Sequence, residues 1–182
     1  MLVYRKDNLA YLPITKNASK TFSWLFQSLN WKEDQFDLLE DGCKLFSHIQ
    51  DPIERHFKGT AEFIIRNDLL DLVDDVRWQK IWATAVMDIH GYPITYNLGK
   101  WRDQIHWIPI HEGIDTNHLT IQFLEQHGVY VDSIKNVAET YSIRTELVNK
   151  LKEIATTHDK ECTLSYFYDS DIVEWIKVLN SL

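Results

Sequence analysis

Lysines set among small and hydroxyl-bearing residues fill one short segment near the start of the chain, Thr15-Lys16-Asn17-Ala18-Ser19-Lys20-Thr21. Before it, Leu9–Ile14 is an apolar run that reads as a buried strand. After it, Phe22, Leu25, Phe26 and Leu29 fall at i, i+3, i+4 and i+7, so Thr21–Leu29 reads as a helix with one apolar face. A strand that turns into a helix through small polar residues points several backbone N–H groups at one spot, and the positive end of the helix dipole adds to the field. Lys16 and Lys20 place two formal charges beside those donors. Residues 1–30 carry Arg5, Lys6, Lys16 and Lys20 against Asp7 alone, so this corner is basic. The chemistry such a segment can do is to hold a phosphate or sulfate group; as a plain connection with surface lysines it would do none. The Gly-x-x-x-x-Gly-Lys-Ser/Thr pattern of a Walker loop is absent.

A second turn has the same layout. Lys44–Ile49 reads as a strand, Gln50-Asp51-Pro52 as a turn, and Ile53–Ile65 as a helix with Asp51 as N-cap and Pro52 at the first helical position. Asp51-Pro52 with Arg55 three residues beyond the proline resembles the Arg-Asp-Pro-x-x-Arg-x-x-Ser segment of sulfotransferases, which grips the 3′-phosphate of the sulfate donor. The first segment is then similar to that family's 5′-phosphosulfate loop, Pro-Lys-x-x-Ser/Thr-Ser/Thr. The two motifs stand in the family's order, about thirty-five residues apart. Weaker matches point to the carbohydrate sulfotransferase branch. His106-Trp107 with Pro109 resembles its His-Trp-x-Pro segment, Val131–Thr140 its Tyr-Asp-x-Ile-x-x-x-Glu-x-Leu segment, and Tyr166–Asp171 its Tyr-Tyr-x-x-Asp segment. Four positions depart from the pattern: Gln50 stands where the family has Arg, Lys58 where it has Ser, Thr15 where it has Pro, and Lys20 at a hydroxyl position. The loss of Arg at position 50 removes a charge-assisted, potentially bidentate phosphate contact.

The resemblance implies transfer of a sulfonate group from 3′-phosphoadenosine 5′-phosphosulfate (PAPS) to an acceptor hydroxyl or amine, with carbohydrate suggested by the branch. It assigns the 5′-phosphosulfate to Lys16, Asn17, Ala18, Ser19, Lys20 and Thr21, and the 3′-phosphate to Gln50, Arg55 and Lys58. Lys16 would stabilise charge on the departing phosphate. A general base is needed for the acceptor's proton. His106 is preferred because it lies in a resembling segment; Glu40 and His90 are the other candidates. Arg55 has a second possible role, pairing with a nearby carboxylate. No metal is implied: His111-Glu112 lacks a second histidine at helical spacing. The departures at Gln50 and Lys58 motivate the alternative of a non-catalytic nucleotide-binding or interaction protein of the same fold. A nucleotide kinase ranks third, because the Walker glycines are missing.

The elements that must position these residues read as α/β: a single domain over residues 1–182 with a central, mainly parallel sheet flanked by helices, in the P-loop-like architecture of sulfotransferases. Two successive strand-loop-helix units are the local basis for this expectation. Residues 68–90 read as helix, with Asp68, Asp71, Asp74 and Asp75 on a solvated face, and 91–103 as loop. Strands are expected at Gln104–Ile108, Leu119–Leu124 and Val129–Ile134, and helices at Thr145–Thr157 and Asp171–Leu182. No Gly-, Pro- or Ser-rich linker and no internal repeat divides the chain.

Composition narrows the partners. The 182 residues carry 19 Lys+Arg against 27 Asp+Glu, a formal charge of −8, which argues against a nucleic-acid coat or a polybasic membrane binder. Any anionic ligand must therefore be held by a local site. No apolar run approaches the roughly 18 residues of a membrane span, and the first residues lack the apolar core of a signal peptide, so a cytoplasmic protein is expected. Cys43 and Cys162 are the only cysteines, which rules out a disulfide framework and a four-cysteine zinc site.

Overall fold

A computed structural model describes residues 1–87, 92–94, 98–137, 142–157 and 161–182. The chain divides into two compact units, each assembled from separate stretches: Met1–Gln50, Leu98–Ala138 and Lys177–Leu182 form one, and Asp51–Asn97 and Glu139–Ile176 the other.

The first unit is built on a five-stranded sheet of β1 (Leu2–Lys6), β2 (Leu9–Tyr11), β3 (Lys32–Gln35), β4 (Lys44–Gln50) and β5 (Ile105–Ile110), ordered β3-β1-β2-β4-β5. The sheet is mixed. β2, β4 and β5 run parallel, while β1 pairs antiparallel with both β2 and β3. β1 and β2 are joined through the two-residue turn Asp7-Asn8, with Asp7 in the left-handed region at φ 52. The expected mainly parallel sheet is thus corrected by two strands whose sequences carry little apolar alternation; β3 is Lys-Glu-Asp-Gln on an edge, where charge discourages further pairing.

Helices α1 (Ser19–Ser28) and α4 (Thr116–Gln126) cover one face of this sheet. Tyr4, Leu9, Tyr11, Phe46 and Ile108 from the strands pack there with Phe22, Leu25 and Phe26 of α1 and Phe123 and Leu124 of α4. Helix α4 replaces the strand expected at Leu119–Leu124, and the segment expected as a strand at Val129–Ile134 contains no strand. The apolar, β-branched run Leu-Thr-Ile-Gln-Phe-Leu imitates a strand, but Asp115 caps it by accepting from His118 N at 3.0 Å, and it buries Thr120, Phe123 and Leu124 at i, i+3 and i+4. Gly128, at φ 76, follows its end in the conformation that glycine adopts most easily.

The second unit is helical: α2 (Pro52–Arg66), α3 (Val76–Thr84), α5 (Ser142–Thr157), α6 (Glu161–Phe167) and the greater part of α7 (Asp169–Asn180). Its core gathers Phe57, Ala61 and Ile64 of α2, Trp82 and Ala83 of α3, Leu147, Val148, Leu151 and Ile154 of α5, and Leu164 and Tyr168. Of the helix expected over 68–90, the turn Leu70–Leu72 is a 3-10 helix and, among the described residues, only Val76–Thr84 is α-helical; Asp75 accepts from Arg77 N and starts it. Of the loop expected over 91–103, residues 99–103 lie in a 3-10 helix, Gly99–Gln104, whose last residue was expected to open the strand at Gln104–Ile108. Among the described residues no helix is long and apolar enough to cross a membrane.

Candidate functional site

The loop after β2 is fastened to β4 at successive points. Leu12 N donates to Phe46 O at 3.0 Å and Ser47 Oγ to Leu12 O at 2.6 Å. Asn17 Nδ2 donates to His48 O at 2.7 Å, and Gln50 Nε2 donates to the carbonyl of Lys16. Asn17 is wholly buried, and its Oδ1 has no hydrogen-bond partner among the described residues. Between these fastenings the backbone takes an unusual path. Lys16 at φ 64 and Ala18 at φ 54, ψ 20 both sit in the left-handed region, which costs a non-glycine residue about 1–2 kcal/mol. Between them, Asn17 N donates to Ile14 O at 3.1 Å and closes the turn that leads into the helix.

Helix α1 begins directly behind this loop. Ala18 is its N-cap and supplies no side-chain hydrogen bond, and the first turn contains no acidic residue. The N–H groups at the head of the helix lack both an intrahelical acceptor and a capping side chain. Lys16 is half-buried and Lys20 exposed, so one ammonium stands in the loop and one on the first turn of the helix. Thr21 is buried, and its hydroxyl donates to Asn136 Oδ1 at 3.0 Å, which brings the segment after α4 onto the head of α1. The Thr21 hydroxyl proton is thereby engaged within the chain.

His48 underlies the loop and was not singled out by its sequence context. It is 0% exposed, and its ring stacks on Phe22 with centroids 3.6 Å apart and planes 16° apart. Nε2 lies 3.0 Å from Thr120 Oγ1, whose hydroxyl donates to Thr116 O at 2.7 Å. The hydroxyl's one proton is thereby used, so Nε2 carries the imidazole proton and donates it. Burial pushes His48 down to about 3, and it stays neutral. It is a pillar beneath the loop.

The second turn is organised differently. Gln50, expected at the 3′-phosphate, is buried and holds the Lys16 carbonyl. Asp51 Oδ1 accepts from Ile53 N at 2.8 Å and Glu54 N at 3.0 Å, so a carboxylate already caps α2. Arg55 is 1% exposed. Its Nη2 donates to Tyr92 O at 2.5 Å and lies 3.5 Å from Asp171 Oδ2, itself 0% exposed, which also accepts from Ile94 N at 2.6 Å. Desolvation lowers the Arg55 pKa, and Asp171 opposes that shift. Of the two roles weighed for Arg55, the structure gives it the carboxylate partner. Lys58 lies 3.7 Å from Glu54, which also pairs with Lys152.

Neither His106 nor Glu40 stands at the loop. His106 pairs in register with Phe46, whereas Ile110 pairs with Gln50, the residue that touches the loop. Four strand residues, roughly 13 Å, therefore separate the level of His106 from that of the loop. Its ring stacks on Phe123 at 4.3 Å, and burial followed by His127 lowers its pKa. His106, the base preferred from the sequence, therefore stands at a different level of the sheet from Lys16 and its loop. Glu40 is 3.8 Å from Arg5 and precedes β4, at the sheet end opposite the loop. His90 lies outside the described residues. Among the described residues no group of three His, Cys, Asp or Glu side chains could hold a metal ion. Cys43 is a buried free thiol whose pKa is raised by burial.

The chain matches no family model, no curated protein and no solved structure.

Proposed function

We propose that the chain is a sulfotransferase that moves a sulfonate group from a nucleoside 5′-phosphosulfate, PAPS being the donor the sequence resemblance implies, to an acceptor hydroxyl or amine. The observation that carries the proposal is the head of α1: two left-handed residues, an uncapped helix start and two lysines converge on one loop at the C-terminal end of parallel strands. This is where an open α/β sheet receives ligands. In the reaction the acceptor atom attacks sulfur in line, the bond from sulfur to the bridging oxygen breaks with its electron pair going to the departing phosphate, and the acceptor's proton passes to solvent water. Lys16 and the N–H groups of Ala18 to Thr21 stabilise the charge left on the departing phosphate. From β4, the Gln50 side chain and the His48 carbonyl, which accepts from Asn17 Nδ2, hold that loop in shape. Carbohydrate remains the acceptor class that the resemblance favours.

A second reading, a non-catalytic nucleotide-binding protein of the same fold, is favoured by one observation: neither His106 nor Glu40 is at the loop's end of the sheet. Isothermal titration with adenosine 3′,5′-bisphosphate tests the site common to both. Binding that weakens at least tenfold in Lys16→Ala, with an unchanged far-UV spectrum, is expected; no binding at millimolar ligand overturns both readings. Transfer of labelled sulfate from PAPS to a panel of sugar and amine acceptors separates them, since turnover eliminates the second reading and its absence with binding retained eliminates the first.

A further inference from the structure

PAPS carries two anionic groups, one at the 5′ position and one at the 3′, and the two turns are unequally fit to receive them. We infer that this chain does not read the ribose 3′-phosphate, so that its ligand class is a 5′-phosphorylated or 5′-phosphosulfated nucleoside irrespective of substitution at the 3′ position. The inference rests on the donor reading above.

Each group that the resemblance would give to the 3′-phosphate has another use. Gln50 is uncharged and donates to the Lys16 carbonyl, so it acts for the first loop. Arg55 is buried against Asp171 and Tyr92 O. Turning its guanidinium toward a phosphate would leave the Asp171 carboxylate, 0% exposed, without the cation beside it, and such a buried charge is strongly unfavourable. The head of α2 is occupied by its own anion, because Asp51 takes the N–H groups of Ile53 and Glu54. The favourable end of that helix dipole is thus already neutralised. Beside it lies a hollow of about 170 Å³ lined by Asp51, Ile53, Glu54, Phe57 and Lys152. Two carboxylates face one ammonium there, and Glu54 pairs with both Lys152 and Lys58. A phosphate dianion entering this surface meets like charge.

Titrating the full chain with adenosine 3′,5′-bisphosphate and with adenosine 5′-monophosphate, at matched ionic strength, tests the inference. The expected result is a ratio of dissociation constants below ten, with both ligands weakened at least tenfold by Lys16→Ala. A bisphosphate preference of tenfold or more overturns the inference and leaves the donor reading standing. If neither nucleotide binds at millimolar concentration, or Lys16→Ala weakens neither, the donor reading falls and takes the inference with it.

Discussion

Helix α1 starts on Ala18 and helix α2 on Asp51, and the contrast between these two residues runs through everything around them. Ala18 sits in the left-handed region and caps nothing, so the head of α1 keeps its donors and its positive field. Asp51 accepts two N–H groups, so the head of α2 is satisfied by the chain itself. The nearby cations follow the same division. Lys16 and Lys20 stand beside open donors, whereas Arg55 and Lys58 are turned to Asp171 and Glu54. Two turns of similar sequence layout therefore differ in kind: one is strained and open, the other capped and neutralised. Strain persists where the surroundings over-determine it, and the fastenings from Ser47, His48 and Gln50 supply that constraint.

The contrast is broken most forcefully at Arg55. If it is structural, Arg55→Ala leaves Asp171 buried without its cation and lowers unfolding stability by about 3–5 kcal/mol. Arg55→Met combined with Asp171→Leu loses less than Arg55→Ala alone, because no unpaired charge is left behind. Urea denaturation measures both; a stable Arg55→Ala protein that has lost only nucleotide affinity would return Arg55 to the ligand.

Acidification probes both turns through the histidines beneath and behind them. His48 is held down to about 3 and His56 to about 4, chiefly by burial, against an ordinary value near 6.5. Both bind a proton more readily when unfolded, so each contributes fully above pH 6.5 and loses that contribution as pH falls toward its folded value. At pH 4.5, two units below the ordinary value, the loss is about 2.5 kcal/mol per histidine. Urea midpoints measured from pH 7 to 4.5 should fall, and the fall should be shallower in His48→Gln; a pH-independent midpoint contradicts the burial of neutral imidazole.

The smallest effects lie in the caps. Asp51→Ala removes a cap worth about 1 kcal/mol. Ala18→Gly relieves the left-handed backbone and stabilises by about 0.5–1 kcal/mol. Thermal melts should show the two changes in opposite directions, and shifts of the same sign would erase the distinction drawn between the turns.

How far this was legible in the sequence follows from the kind of signal each part carries. The β2-loop-α1 and β4-turn-α2 units were readable because apolar periodicity and the Asp51-Pro52 pair are local. β3 was not, because an edge strand of Lys-Glu-Asp-Gln is specified by pairing with β1 and by no pattern of its own. Helix α4 was misread as a strand although Asp115, the i, i+3, i+4 burial and Gly128 mark it; the β-branched content outweighed the period. At the site, Lys16 and the head of α1 could be anticipated from composition. The pairing of Arg55 with Asp171 joins residues 116 positions apart, and the separation of His106 from the loop is a matter of strand register. Neither can be obtained from spacing.

The asymmetry of the two turns is tested most directly by following backbone amide resonances of the ¹⁵N-labelled chain during titration with adenosine 3′,5′-bisphosphate. The account predicts that the amides of Ala18, Ser19, Lys20 and Thr21 shift and saturate together while those of Ile53, Glu54 and Arg55 stay in place. Saturable shifts at Ile53–Arg55, with Ala18–Thr21 unmoved, would contradict it.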